Sequence, residues 1–195
     1  MLLWLDLETT GLDPHAGEIL EVGWFISDNW EILTDVQSHV VTPTRTTFEL
    51  LRQDLFAQSV HYENELVHEL LWSEKTLRLE DIEDMILKDI HRMNEDDSFP
   101  IIAGASVHFD RGFIREYMPR LDNELSYRHF DVSTLMMFFN SLGFYELSKR
   151  EHGSSTHRAG DDVLSSYKLA RKYVNLMNLM VEQNEEQDDA ERKSQ

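Results

Sequence analysis

Residues 2–11 read LLWLDLETTG. With a period of two, Leu3, Leu5 and Leu7 point to one face while Trp4, Asp6 and Glu8 point to the other. This predicts a strand that carries two carboxylates side by side at the end of the most apolar run in the chain. Two acids at i and i+2 project hard oxygen donors from one face, so the pair either binds a divalent cation or repels itself. Thr9-Thr10-Gly11-Leu12 reads as the turn that follows.

Outward from this strand, residues 18–27 (EILEVGWFIS) form a second β-rich run. Asp28-Asn29-Trp30 reads as a hairpin turn, and residues 31–42 (EILTDVQSHVVT) as the returning strand. From residue 48 to 93 the pattern becomes helical, in two or three pieces, with apolar residues at Leu66, Leu70 and Leu71 and again at Leu79, Ile82, Ile86 and Ile90. Residues 100–104 (PIIAG) predict a short apolar strand, and residues 113–118 a helix ended by Pro119. Phe130-Asp131-Val132 predicts another short strand, with Ser133 as N-cap of a helix over 135–141. The last helix is expected from Asp161 to about Met180, two acids in its first turn, where the helix dipole favours them. Trp24 and Trp72 are expected in the core, and Met177 and Met180 as core or interface filler.

The chain has 195 residues and is 41% hydrophobic, which suits one domain with a complete core. We divide it into a folded domain over 1–180 and an acidic tail over 181–195, which has no apolar period and reads as disordered. The net charge of −19 argues against a basic surface that grips long duplex nucleic acid. A short anionic substrate at a local site remains open, particularly where metal ions supply the positive charge. With no cysteine, disulfides, thiolate catalysis and Cys-ligated metal sites are excluded, and any metal must sit on oxygen or imidazole. Acids interrupt the N-terminal apolar run before a signal-peptide core or membrane span could form, so the protein reads as soluble and cytoplasmic.

Two further places carry chemistry. Asp110 stands just before the predicted helix at Phe113, and His157 precedes Asp161 and Asp162 on a Gly/Ser-rich approach. Four carboxylates and a histidine on separate elements, without compensating cations, are most naturally held by two Mg²⁺ or Mn²⁺ ions about 4 Å apart, a pair used for phosphodiester hydrolysis. His157 is the candidate to remove the proton from the attacking water.

The order Asp6-x-Glu8, Asp110, His157 and Asp162 resembles the DEDDh 3′-to-5′ exonucleases of the ribonuclease H-like superfamily, and most closely their oligoribonuclease branch. Five segments resemble that family's blocks, in its order: residues 4–13 (WLDLETTGLD), 18–28 (EILEVGWFISD), 103–121 (AGASVHFDRGFIREYMPRL), 127–135 (YRHFDVSTL) and 157–162 (HRAGDD). The resemblance implies an α/β fold, a mixed β-sheet flanked by α-helices in a single domain. It implies that Asp6, Glu8, Asp110 and Asp162 are the metal carboxylates and His157 the general base. The family's spacing favours Asp162 over its neighbour Asp161, and the two point about 100° apart on a helix. Leu12 matches the apolar wedge between the two bases of a dinucleotide. Arg128, Ser133 and Thr134 match the positions that cap the substrate's 5′ phosphate, with His61 as their helper. Tyr127 matches a tyrosine that reaches into the neighbouring subunit's site, which implies a homodimer.

Some positions depart from the family pattern: Thr9 stands where a methionine is usual, and Ala105, His108 and Phe109 replace more polar residues before Asp110. What the resemblance implies is metal-dependent 3′-to-5′ hydrolysis of very short RNAs to nucleoside 5′-monophosphates. The alternatives are a DEDDh exonuclease acting on single-stranded DNA or longer RNA, and a non-catalytic acidic binding protein.

Overall fold

The computed structural model describes residues 1–94, 98–148 and 156–193, with the backbone alone for residues 147, 148 and 184–193. The opening strand is β1, Leu2–Thr9. It pairs antiparallel with β2, Ile19–Asp28, from Leu2 opposite Ser27 to Glu8 opposite Glu21. Asn29 and Trp30 both take positive φ, 44° and 67°, as a two-residue hairpin turn requires.

The returning segment is split in two. β3, Glu31–Ile32, and β4, Gln37–Val40, both pair antiparallel with β2, but Ser27 faces Ile32 while Trp24 faces Gln37, so two extra residues bulge between them. The Thr34 hydroxyl accepts the Ile26 N–H at 2.9 Å, taking the place of a backbone partner and producing the break.

The helical block contains four helices: α1 (Thr47–Gln53), α2 (Leu55–Glu63), α3 (Leu66–Trp72) and α4 (Leu79–Met93). Asp54 divides the first two by capping the Phe56 and Ala57 N–H groups, and Glu65, at φ 66°, divides the next two. Ile82, Ile86 and Ile90 are buried as their spacing predicts, whereas Leu71 and Trp72 are exposed because α3 ends on the solvent side.

β5, Ile101–Gly104, lies parallel to β1, and β6, His129–Asp131, lies parallel to β5. The sheet order is β3-β2-β1-β5-β6, with β4 on β2: a mixed sheet in one domain. α5 (His108–Tyr117) and α6 (Pro119–Glu124) connect β5 to β6. Pro119 starts α6 rather than merely ending α5, since at the first helical position its missing N–H needs no partner. α7, Val132–Ser141, begins earlier than expected: its N-cap is Asp131, whose carboxylate accepts the Ser133 N–H at 2.8 Å, so Ser133 lies inside the first turn. A 3₁₀ turn follows at Tyr145–Ser148.

α8 spans Ala159–Lys193, continuing helical past Met180 through a stretch rich in the strong helix formers Glu, Gln and Lys. Met177 and Met180 are exposed on it. Gly153, Ser154 and Ser155 of the Gly/Ser-rich approach to His157 and the last two residues of the tail lie outside the described residues.

Alternation along β1 decides where everything else goes. Leu3, Leu5 and Leu7 pack with Val22, Trp24 and Ile26 against α4, α5 and α6. Trp4 and Phe25 face the opposite side, under Val163, Tyr167 and Ala170 of α8. Trp4 meets Tyr167 edge-on at 5.2 Å and donates from its indole N–H to the Ser27 hydroxyl at 2.9 Å. A third apolar cluster joins α1, α2 and α3 to Leu20 and Val40. No helix among the described residues is long and apolar enough to cross a membrane.

Candidate active site

Trp4, Asp6 and Glu8 share one face of β1, so the helix that covers Trp4 also reaches the acids. α8 packs Val163, Tyr167 and Ala170 on the Trp4 side, and its first turn brings Asp162 to the end of the strand. Glu8, His157 and Asp162 each offer a ligand atom, all within 4.8 Å of one another. Asp162 is buried and Asp161 exposed, which separates the two neighbours as their helical geometry predicts.

Asp110 arrives from the other side, in the first turn of α5. Pairing of β1 with β5 stops at Trp4 opposite Ala103, which leaves the Leu7 N–H free to donate to the Asp110 carboxylate at 3.0 Å. The four sequence-predicted carboxylates thus converge at one end of the sheet.

The crowding is visible in their proton affinities. Burial first, then the Asp110, Glu8, Asp162 and Glu21 carboxylates, hold Asp6 well above the ordinary carboxylate range. Burial, followed by Asp162, Glu21 and Asp110, pushes Glu8 up to about 8. Asp110 also rises to about 8, chiefly through burial and against the opposing pull of the Leu7 N–H. Acids in this state gain most from a divalent cation, which replaces mutual repulsion with attraction. The donor set is all hard oxygen with one imidazole, and it fits such an ion.

Glu21 deepens the repulsion, because it sits directly opposite Glu8 on the same sheet face. Arg158 offsets part of this: its guanidinium donates to both Glu21 oxygens at 3.0 Å and to Glu69 at 2.8 Å. The Ala159 N–H and the Ser38 hydroxyl complete the shell of Glu21, at 3.1 and 2.8 Å. Arg158 is therefore committed to Glu21 and Glu69, and its guanidinium is held in its charged form.

The remaining predicted residues fall in two groups around the acids. Leu12 projects into solvent, 80% exposed. His61 is buried behind the cluster, with Nε2 3.0 Å from the Thr9 carbonyl oxygen and Nδ1 3.8 Å from Glu8, and burial lowers its pKa. Both contacts are with the end of β1. Beyond the ends of β5 and β6, Ser133 sits 3.1 Å from the Ser106 hydroxyl, both braced by Asp131 through their backbone N–H groups. Thr134 and Arg128 are exposed nearby in sequence, and the Arg128 guanidinium stacks 4.7 Å above the Tyr127 ring, itself 80% exposed.

Sequence reasoning missed Glu21, Asn64, Ser106, Phe56 and Arg158. Glu21 carried a signal, an acid inside an apolar alternation. Ser106 did not, because its role depends on a φ of 57° and on the approach of β6. Phe56 is 73% exposed with its ring edge-on to His157 at 6.4 Å, an aromatic wall for the same site.

The sequence profile of the exonuclease family matches residues 3–170. The oligoribonuclease of Corynebacterium glutamicum (strain R) is 34% identical over 166 residues, covering 85% of this chain and 74% of that protein. The oligoribonuclease of Neisseria meningitidis serogroup B is 32% identical over 182 residues, covering 88% and 89%. Among solved structures, the zinc-bound complex of E. coli exonuclease I with single-stranded DNA aligns at a TM-score of 0.64 and 14% identity, over 87% of this chain and 39% of that longer one. That last likeness concerns the fold. The family match runs through the acid strand, the α5 aspartate and the His157–Asp162 segment, and with these relatives it shows that the chain belongs to the exonuclease family and, within it, to the oligoribonucleases.

Proposed function

We propose that this protein is a 3′-to-5′ exoribonuclease that hydrolyses dinucleotides and slightly longer RNAs to nucleoside 5′-monophosphates with two Mg²⁺ or Mn²⁺ ions. The observation that carries the reading is the convergence of Asp6, Glu8, Asp110, Asp162 and His157 at the sheet end, where burial and mutual repulsion make Asp6, Glu8 and Asp110 hold their protons unusually tightly. The four carboxylates would hold the ions, which when bound lower the pKa of water and stabilise charge on the phosphoryl oxygens. His157 takes the proton of the attacking water on an imidazole nitrogen. Leu12, and Phe56 beside the His157 ring, offer apolar surface for the two bases. Arg128, Ser133 and Thr134 are assigned to the substrate's 5′ phosphate, where one guanidinium and hydroxyls suffice for charge-assisted recognition. His61, buried behind Glu8, is assigned as their helper.

A pocket that closes on both ends of a short RNA needs few cations, which agrees with a net charge of −19. We assign Tyr127 to the neighbouring subunit's site in a homodimer, in keeping with its exposure, and sedimentation of the full chain tests this. We place the activity in the cytoplasm, in keeping with a cysteine-free chain.

The test is turnover of 5′-phosphorylated RNAs from dimers to twenty-mers, with Mg²⁺ or Mn²⁺ and with EDTA. Cleavage confined to the shortest species is expected, abolished by EDTA and lowered roughly 10²- to 10⁴-fold in His157→Ala. Arg128→Ala should weaken binding of phosphorylated dinucleotides more than of unphosphorylated ones. Cleavage of all lengths, or of single-stranded DNA, would move the protein to the general exonucleases. No cleavage would leave an acidic binding protein.

A further inference from the structure

His157 has φ 51°, in the left-handed region, although it is not glycine. A side-chain-bearing residue persists there only when its surroundings over-determine it. The three residues 157 to 159 are held from two directions. On the β2 side, Glu21 receives the Arg158 guanidinium and the Ala159 N–H. On the helical side, Glu69 of α3 takes the other arm of Arg158 at 2.8 Å. Neither of these touches the backbone of residue 157.

That contact comes from Asn64, between α2 and α3. Its Nδ2 donates to the His157 carbonyl, with the Thr156 carbonyl 3.5 Å away. Its Oδ1 accepts the Leu66 N–H at 3.0 Å, so the amide is oriented with its NH₂ toward His157. The platform is rigid: Leu66 is fully buried, and the Asn64 N–H closes α2 on the Val60 carbonyl at 3.1 Å. The same helix α2 carries His61 behind Glu8 and Phe56 beside the His157 ring. One side-chain amide therefore ties the histidine's backbone to the element that also backs Glu8.

We propose that Asn64 is the positioning residue of His157: its carboxamide holds the left-handed backbone that aims the imidazole at Glu8 and Asp162. Without the donor, residue 157 relaxes to an ordinary conformation and the direction of its Cα–Cβ bond swings away from the acids. This rests on the reading of His157 as the proton acceptor, and it adds a residue that contacts neither substrate nor metal.

Asn64→Asp is the discriminating variant. It keeps the acceptor for the Leu66 N–H and the shape of the side chain, and removes the donor to His157. With the full chain, Mg²⁺ or Mn²⁺ and a 5′-phosphorylated RNA dimer, kcat should fall roughly tenfold to a hundredfold, because small misplacements of a reacting group carry losses of that order. KM and Tm should stay near wild type. Asn64→Ser, which can both accept from Leu66 and donate from its hydroxyl, should recover part of the rate, and it also serves if the aspartate variant folds poorly. In the His157→Ala background the Asn64→Asp change should produce no further loss, since a residue that acts through the imidazole has nothing left to position. The His157 ring signals in NMR spectra of the metal-free protein should broaden or split in Asn64→Asp.

A wild-type kcat in Asn64→Asp, with His157→Ala inactive, overturns the proposal and leaves the proton-acceptor reading intact. An equal loss in both backgrounds overturns it as well, assigning Asn64 a general structural role. Full activity in His157→Ala removes the proton-acceptor reading and the proposal with it.

Discussion

Asp161 and Asp162 are chemically identical neighbours in opposite environments. The 100° between successive helical residues turns Asp162 toward Glu8 and His157 and leaves Asp161 in solvent. Asp162→Asn removes one of the four convergent charges and should lower turnover by at least roughly two orders of magnitude at fixed Mg²⁺, whereas Asp161→Asn should stay within about twofold. Parallel kinetics of the two variants check this, and equal losses would mean that the assignment of Asp162 is wrong. Glu21 makes a similar point at residue scale: opposite Glu8 in the ladder, it still adds to the repulsion on Glu8 and Asp6, and its pairing with Arg158 offsets part of that.

At the scale of elements, the site depends on how closely α8 approaches the sheet. A Cβ on Gly23 of β2 would lie 2.4 Å from the backbone of Ala159, and one on Gly160 would lie 2.9 Å from Ser38 of β4. Two glycines let the helix start rest directly on the strands, which is what carries Asp162 to Glu8. Gly23→Ala has no flexible neighbour to displace, so α8 or β2 must shift. The expected loss is about 1–3 kcal/mol of stability, as for overpacked cores, together with a lower kcat from the displaced aspartate. Urea unfolding and turnover of the variant measure both; wild-type values for both would show that the close approach is dispensable.

At the scale of the molecule, the carboxylate cluster opposes folding as pH rises. Glu8 and Asp110 hold protons up to about 8 in the folded chain, against ordinary values near 4.5 and 3.8 when unfolded. Between those limits the folded state binds more protons than the unfolded state, so stability falls with increasing pH in the metal-free protein. A divalent cation binds the deprotonated acids, so the stabilisation it confers should grow in the same direction. We expect the rise in Tm on adding Mg²⁺ or Mn²⁺ to be larger at pH 8.5 than at pH 6, measured against EDTA at each pH. A rise equal at both, or larger at pH 6, would place the ion elsewhere than on these acids.

Much of the fold was legible because it follows from local periodicity. Strict alternation placed Leu3, Leu5 and Leu7 in the core and Asp6 and Glu8 on the opposite face, and the three- and four-residue spacing of Ile82, Ile86 and Ile90 marked the buried stripe of α4. The four carboxylates and His157 were legible because residue type and order survive in the linear chain. The boundaries were less so. The bulge at Thr34, the Asp131 cap that starts α7 before Ser133, and the exposure of Trp72 each depend on a partner distant in sequence or on which side an element faces solvent.

By itself, then, the amino-acid order determined which groups could do the chemistry, since that depends on side-chain type and on the phase of a strand or helix. The tertiary structure alone decided how those groups are held: Glu21 paired with Arg158, Asp110 fixed by the Leu7 N–H of β1, and the His157 backbone in the grasp of Asn64. Those contacts join residues 93 to 137 positions apart, and nothing in a local pattern encodes a distance across the sheet.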